Sequence, residues 1–272
     1  MIVKLFCPKC GYEASKSFTG FAVLPVPVPV SKLADDGIYE VRCGKGHVST
    51  ILLDNIKFEL LFEMGINAII DGYPHEAVSS FASSLERFYE FYWRVAMRHF
   101  GIPNDQVEDT WKLLSKFSER QLGAYSTAVN LLTKVFPTLL NPNKEVPFRN
   151  KVIHSGYVPT AQEAISFGDV VMKLINDDLD NLRSIAASAL ESIYKELSPK
   201  SHEARLSKDG DDDDVMGCIN ILTAIDVRQP RKKVLSVADH FQRIIEDRQP
   251  TQMQMLSKEE MKKRYPDVKL TD

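Results

Sequence analysis

Between Val78 and His99 the chain places Val78, Phe81, Leu85, Phe88, Tyr92, Val95 and His99 at alternating steps of three and four residues, stopping near Gly101. Such steps keep side chains on one side of a helix with 3.6 residues per turn, so the stretch predicts a long amphipathic helix. The spacing recurs at Leu122, Tyr125, Val129, Leu132 and Phe136, ahead of Pro137. It recurs again at Ile175, Leu179, Leu182, Ala186, Ala189 and Ile193, ahead of Ser198-Pro199. A weaker helix is expected from about Ile56 to Ile70, ended by Asp71-Gly72, and a short one from Asp105 to Phe117. Helices that each carry one apolar stripe must bury it against one another, which makes residues 56–198 a helical bundle.

The last of these helices has a legible start. In Pro159-Thr160-Ala161-Gln162-Glu163, Thr160 can accept from the Glu163 amide while Glu163 returns the bond, the reciprocal arrangement of a capping box. The residues before it, Phe148 to Gly156, form a short helical turn of their own, and Pro147 suits its first position because no N–H is needed there.

On either side of the bundle the chain changes character. Residues 1–55 are strand-like, with short apolar stretches broken by Gly and Pro. Residues 199–272 are mixed and open with an acidic run, Asp211-Asp212-Asp213-Asp214. A calcium loop would need its Gly among the acids and a closing Glu, so the run reads as a solvated linker. Ile219, Ile221, Thr223, Ile225 and Val227 then alternate as in a strand, followed by the basic cluster Arg228, Arg231, Lys232 and Lys233. From about Gln249 onward the chain reads as peripheral.

Composition sets outer limits. Of 272 residues, 34 are Lys or Arg and 37 Asp or Glu, a net charge of −3, and 44% are hydrophobic. That is globular rather than disordered, and it lacks the broad basic field that coats nucleic acid non-specifically. A polyanion would have to be held by a local patch. The first residues lack the pattern of a signal peptide, and the apolar run from Phe21 to Val30 is too short for a bilayer and carries three prolines. The expectation is a cytoplasmic protein without a membrane anchor.

Four unevenly placed cysteines do not make a disulfide framework. Cys7-Pro8-Lys9-Cys10-Gly11 has two thiolates at the spacing of a metal knuckle, with Gly allowing a tight turn. Cys43-Gly44-Lys45-Gly46-His47 offers a second knuckle with His in place of a fourth Cys. Zinc takes four such ligands in a tetrahedron, and four protein ligands leave no open position for chemistry. Cys7, Cys10, Cys43 and His47 are therefore candidate ligands of a structural Zn2+. Buried free thiols and a redox Cys-x-x-Cys pair are the competing readings, the second lacking the helix that redox motif needs. Residues 1–55 resemble the zinc-ribbon family, with Ile2 to Phe6 and Ile38 to Arg42 as its matching strands, and Cys218 is an ordinary small apolar residue.

The most informative short stretch is Phe148-Arg149-Asn150-Lys151-Val152-Ile153-His154. Arg and His together suffice to cleave RNA. An imidazole can move a proton at the 2′-hydroxyl or the leaving oxygen, and a guanidinium can steady the extra charge on phosphorus. Five residues apart on one helix, the two side chains point about 140° from each other. A local helix end, or a second copy across a two-fold axis, would bring them to one phosphate.

The motif resembles the HEPN superfamily, whose signature is Arg, a polar residue, a few more, then His, matched here by Arg149, Asn150 and His154. The resemblance covers residues 56–198 and implies an all-α bundle that dimerises, with the motifs of two protomers forming a metal-independent endoribonuclease cleft. By that resemblance Arg149 and His154 are the catalytic pair, Asn150 orients them or the substrate, and Glu86 is a candidate acidic accessory residue. It also implies a toxin or antiphage abortive-infection setting, RNA as substrate, and an antitoxin or activator as partner. HepT-type toxins carry a modified Tyr two residues after the His, whereas Tyr157 stands three after His154, so that regulation is not carried over. The other reading is a non-catalytic HEPN module that binds nucleotide, RNA or a partner protein, and a third makes the zinc ribbon a DNA-binding regulator. His75, His99, His202 and His240 share no spacing with carboxylates, and Trp93 and Trp111 read as core.

Overall fold

A computed structural model describes residues 4–7, 9, 10, 25–27, 37–197, 216–219, 221–230 and 233–248. The acidic run at 211–214, His202, Arg231, Lys232 and the segment from Gln249 lie outside the described residues. The chain forms two units, one from residues 55–201 with 222–246 and the other from 2–54 with 202–221 and 247–272, so the C-terminal quarter is shared between them. No helix among the described residues is long and apolar enough to cross a membrane.

The larger unit is helical. Its helices are α1 (Lys57–Ile70), α2 (Pro74–His99), α3 (Asn104–Leu114), α4 (Ser118–Thr133), α5 (Glu145–Ser155), α6 (Ala161–Ile185), α7 (Ala187–Leu197) and, after a short 3-10 turn at Val237–His240, α8 (Phe241–Arg248). The stripe that predicts α2 is buried from Val78 to Val95, and His99 emerges at the helix end. Tyr89, Phe91, Trp93 and Ser84 are buried too, because α2 packs against α1, α4, α5, α6 and α7 and has little surface left for water. Trp93 and Trp111 are core, their rings 5.4 Å apart.

Phe81 shows how tightly the centre is filled. A Cβ placed on Gly65 of α1 would come 2.5 Å from its ring, and one on Gly168 of α6 would come 2.7 Å from it. Glycine is thus required for close approach, although it weakens a helix by about 1 kcal/mol. Gly65→Ala is expected to cost roughly 1–2 kcal/mol net, overpacking outweighing the helix propensity regained, as read by urea unfolding.

Two expected stripes end differently. The helix of the second, α4, stops at Thr133, and Lys134 turns left-handed at φ 59°. Phe136 is therefore outside the helix and 88% exposed, consistent with the bias that Pro137 imposes against helical backbone at the residue before it. The third stripe is buried as expected from Leu179 to Ile193 but is carried by two helices, the chain breaking at Ala186.

The alternation from Ile219 to Val227 does not make one strand. Residues 221–230 are irregular, with Ile225 and Val227 buried in the helical core. Their backbone donors find carboxylates instead of a neighbouring strand. The Ala224 N–H donates to Glu63 (3.0 Å) and the Val227 N–H to Glu59 (2.7 Å), both acceptors being buried side chains of α1. Glu59 also accepts from the Ile56 N–H at 2.9 Å, and burial pushes its carboxyl up to about 7 against the pull of these donors. Arg183 donates to the carbonyls of Asp226 and Gln229, both at 2.8 Å, and Arg243 pairs with Glu63 at 2.7 Å.

A further buried carboxylate, Asp178 of α6, accepts from the Tyr125 hydroxyl of α4. Burial raises its carboxyl from 3.8 to about 6, against the hydrogen bonds from Tyr125 and Asn181. A carboxyl raised on folding favours the folded state below its unfolded value, and that stability is lost as pH rises through the folded one. The difference corresponds to roughly 3 kcal/mol. Asp178→Asn keeps an acceptor for Tyr125 without the charge. It is expected to raise the melting temperature at pH 8, with the gain fading through pH 6 and gone below about pH 4.

In the smaller unit, β1 (Lys4–Phe6) pairs antiparallel with β2 (Pro25–Pro27). A second sheet has β3 (Ile38–Arg42) antiparallel to β4 (Val48–Leu53), with β5 (Met216–Ile219) parallel on the other side of β4. The two stretches expected to pair with each other, 2–6 and 38–42, thus have other partners. For β3 the reason is local. Cys43 to His47 is itself a hairpin turn, closed by Cys43 N–H to His47 C=O (3.0 Å) and Gly46 N–H to Cys43 C=O (2.9 Å), with Gly46 at φ 87°. That turn hands β3 to β4, its neighbour in sequence.

Candidate functional site

Two sites emerge, one in each unit. In the smaller unit the ligating atoms of Cys7, Cys10, Cys43 and His47 all lie within 4.8 Å of one another. Cys10 Sγ is 3.7 Å from Cys43 Sγ and 3.4 Å from His47 Nδ1, and Cys7 Sγ is 3.8 Å from His47 Nδ1. Metal–sulfur bonds of about 2.3 Å arranged tetrahedrally put neighbouring sulfurs ~3.7 Å apart, so this spacing suits one shared cation. The three cysteines are buried, and burial with neighbouring thiols pushes Cys10 up to about 12. Three buried thiols and an imidazole at this spacing are a donor set that fits a metal ion by its chemistry. Outside the four donors, the Cys10 N–H points at Cys7 Sγ (3.5 Å), and the buried Ser49 hydroxyl lies 3.9 Å from it.

In the larger unit the site is α5. The helix begins two residues before Pro147 and ends at Gly156, whose φ of 68° is the left-handed cap that glycine favours. Val152 is fully buried, and half-buried Phe148 packs on Phe167 with ring centroids 5.7 Å apart, so one side of this short helix is anchored to the core. Asn150, Lys151, Ile153 and His154 are exposed. Arg149 is half-buried and turns toward α2, its Nη2 3.9 Å from Glu86 Oε1. Its Nε is buried without a hydrogen-bond partner among the described residues.

The three motif residues therefore share one helix but not one face, as the angular separation of positions 149 and 154 requires. Glu86, assigned an accessory role on resemblance, is the acidic residue that meets Arg149. The connection after the motif is firmly built. Lys151 lies over the Tyr157 ring at 3.6 Å, and the Tyr157 hydroxyl donates to Glu163 at 3.0 Å. The expected capping box is present, with Thr160 N–H to Glu163 at 2.8 Å and Glu163 N–H to Thr160 Oγ1 at 3.2 Å. The Thr160 donors hold the Glu163 carboxyl below its usual range.

His75, which its spacing marked as ordinary, has a place here. Its Nε2 lies 3.2 Å from the Val152 carbonyl, tying the first turn of α2 to the last turn of α5, which carries His154. No local pattern could reveal a contact between residues so far apart in sequence. Lys151 is exposed two residues from Arg149, while Lys144 pairs with Glu145 at 3.5 Å.

Neither the family models, the curated proteins nor the solved structures include a match to this chain.

Proposed function

We propose that this protein is an endoribonuclease of HEPN type that needs no metal for the chemical step and holds a structural Zn2+ through Cys7, Cys10, Cys43 and His47. The observation that carries the reading is α5: a half-buried arginine whose Nε has no acceptor among the described residues and an exposed histidine, on a short helix fixed to the core at Val152. His154 moves a proton, taking it from the 2′-hydroxyl or giving it to the departing 5′-oxygen. Arg149 stabilises the charge that builds on the non-bridging oxygens. Attack by the 2′-oxygen leaves a 2′,3′-cyclic phosphate and a free 5′-hydroxyl. Asn150, exposed beside Arg149, orients the substrate.

Because Arg149 and His154 face different ways, a cleft that uses both is completed by a second copy. Exposed Ile153 and Val158, flanking His154, support a protein contact there. Zinc contributes folding energy to the smaller unit. The biological setting consistent with this reading is a cytoplasmic toxin or antiphage abortive-infection effector, restrained or triggered by an antitoxin or activator protein.

The competing reading is a non-catalytic HEPN module that binds nucleotide, RNA or a protein. The proximity of Arg149 to Glu86 favours it, since a guanidinium near a carboxylate can serve the fold alone. Incubating wild-type protein and Arg149→Ala with total RNA in excess EDTA separates the two. The nuclease reading expects RNA fragments ending in 2′,3′-cyclic phosphate from wild type only. Equal, negligible cleavage by both folded proteins would leave the binding module.

A further inference from the structure

We propose that Cys10 is an oxidation site within the metal centre: a hydroperoxide reacts first at its sulfur, and a disulfide to Cys43 then breaks the ligand set and releases the cation. This rests on reading Cys7, Cys10, Cys43 and His47 as a zinc site and is independent of the ribonuclease reading. With a metal bound, all three sulfurs are thiolates, the nucleophilic form of cysteine. What separates them is the hydrogen bonding around each.

A thiolate that accepts hydrogen bonds is less basic and a poorer nucleophile. Cys7 Sγ faces two donors from outside the four ligating atoms, the Cys10 N–H at 3.5 Å and the hydroxyl of buried Ser49 on β4 at 3.9 Å. Cys43 Sγ accepts from the backbone N–H groups of Lys45 and His47, in the turn that Cys43 opens. Among the described residues, Cys10 Sγ has only fellow ligands for company, Cys43 Sγ at 3.7 Å and His47 Nδ1 at 3.4 Å being the close ones. It is the sulfur left with the most electron density to give. The covering over it is thin. Gly44, Lys45 and Gly46 are exposed, a Cβ on either glycine would meet nothing within 4 Å, and His47 is only half-buried. The cysteines thus lie one residue below solvent, within reach of a molecule as small as hydrogen peroxide.

The chemistry balances as a two-electron oxidation. The Cys10 sulfur attacks one peroxide oxygen, the O–O bond breaks, and the departing hydroxide is protonated to water, leaving a sulfenic acid. The Cys43 sulfur attacks that sulfur, the S–O bond breaks, a second hydroxide leaves and becomes water, and the disulfide forms. Bringing two sulfurs from 3.7 Å to a bond of about 2.05 Å needs a movement of less than ~2 Å. Cys7 and His47 alone cannot complete a tetrahedral site, so the cation leaves.

The test exposes the full-length, zinc-loaded protein to hydrogen peroxide. A chromogenic chelator reads free zinc, a cyclic 1,3-diketone traps sulfenic acid, and mass spectrometry locates adducts and disulfides. The expected result is diketone on Cys10, one zinc freed per Cys10–Cys43 disulfide, and reversal by dithiothreitol with added zinc. Ser49→Ala removes a donor from Cys7 alone, so its ratio of Cys7 to Cys10 adducts should rise roughly fivefold, the worth of one net hydrogen bond. Should Ser49→Ala hold no zinc, the wild-type adduct map decides by itself. A first adduct on Cys7 or Cys43, zinc loss without the Cys10–Cys43 disulfide, or an unmoved ratio in zinc-loaded Ser49→Ala overturns the proposal. Wild type that binds no zinc brings down the zinc reading and this inference together, whereas zinc bound and retained through peroxide treatment removes the inference alone.

Discussion

His154→Ala is expected to slow RNA cleavage by about 10²–10⁴-fold, the range that one general acid or base contributes. The substitution should leave the fold intact, because His154 is exposed on the last turn of α5 and the anchoring of that helix comes from Val152 and Phe148. Loss of rate with an unchanged melting temperature is therefore the result that assigns His154 to the chemistry. KM should move little, since an imidazole that transfers a proton acts mainly in the transition state. In cells, growth arrest by wild type and its absence with His154→Ala would report the same requirement through a different readout.

The other large effect concerns the metal. Cys43→Ser is expected to abolish stoichiometric zinc and unfold residues 37–54, because structural zinc in small domains supplies apparent binding energies of about 10–16 kcal/mol. The three cysteines and His47 bring Cys7 and Cys10 to the β3–β4 hairpin, and among the described residues the buried cluster there consists of the three cysteines. Metal analysis should give about one zinc per wild-type chain and none for the variant, with limited proteolysis cutting between β3 and β4 only in the variant. Full metal content in Cys43→Ser would refute the assignment of this ligand set. The helical core is built from Ile56 onward, so its thermal transition should survive chelation.

What could be read in advance follows from the range over which each interaction acts. Periods of three and four residues are set by the helix itself, and Val78, Phe81, Leu85, Phe88, Tyr92 and Val95 are buried where the spacing puts them. The Thr160–Glu163 cap is equally local and equally legible. The grouping of Cys7, Cys10, Cys43 and His47 was readable because each pair belongs to a stretch of a few residues, even though 33 positions separate Cys10 from Cys43. Strand pairing was not readable, since nothing in Lys4 to Phe6 specifies Pro25 to Pro27 as its partner. The stretch from Ile221 to Val227 has a strand's alternation, and only the distant carboxylates of Glu59 and Glu63 give its backbone a different set of acceptors. His75 and Glu86 gained meaning in the same way, through contacts with a helix tens of residues away.

Those two glutamates set an order of events during synthesis. Glu59 and Glu63 leave the ribosome early, on the first helix, and they face inward at positions where an unpaired carboxylate is costly. Their backbone partners at Ala224 and Val227 are made more than 160 residues later. A nascent chain that has reached Leu197 holds every helix of the motif region but not the segment that neutralises this seam. Completion of the bundle then waits on translation of residues 222–246.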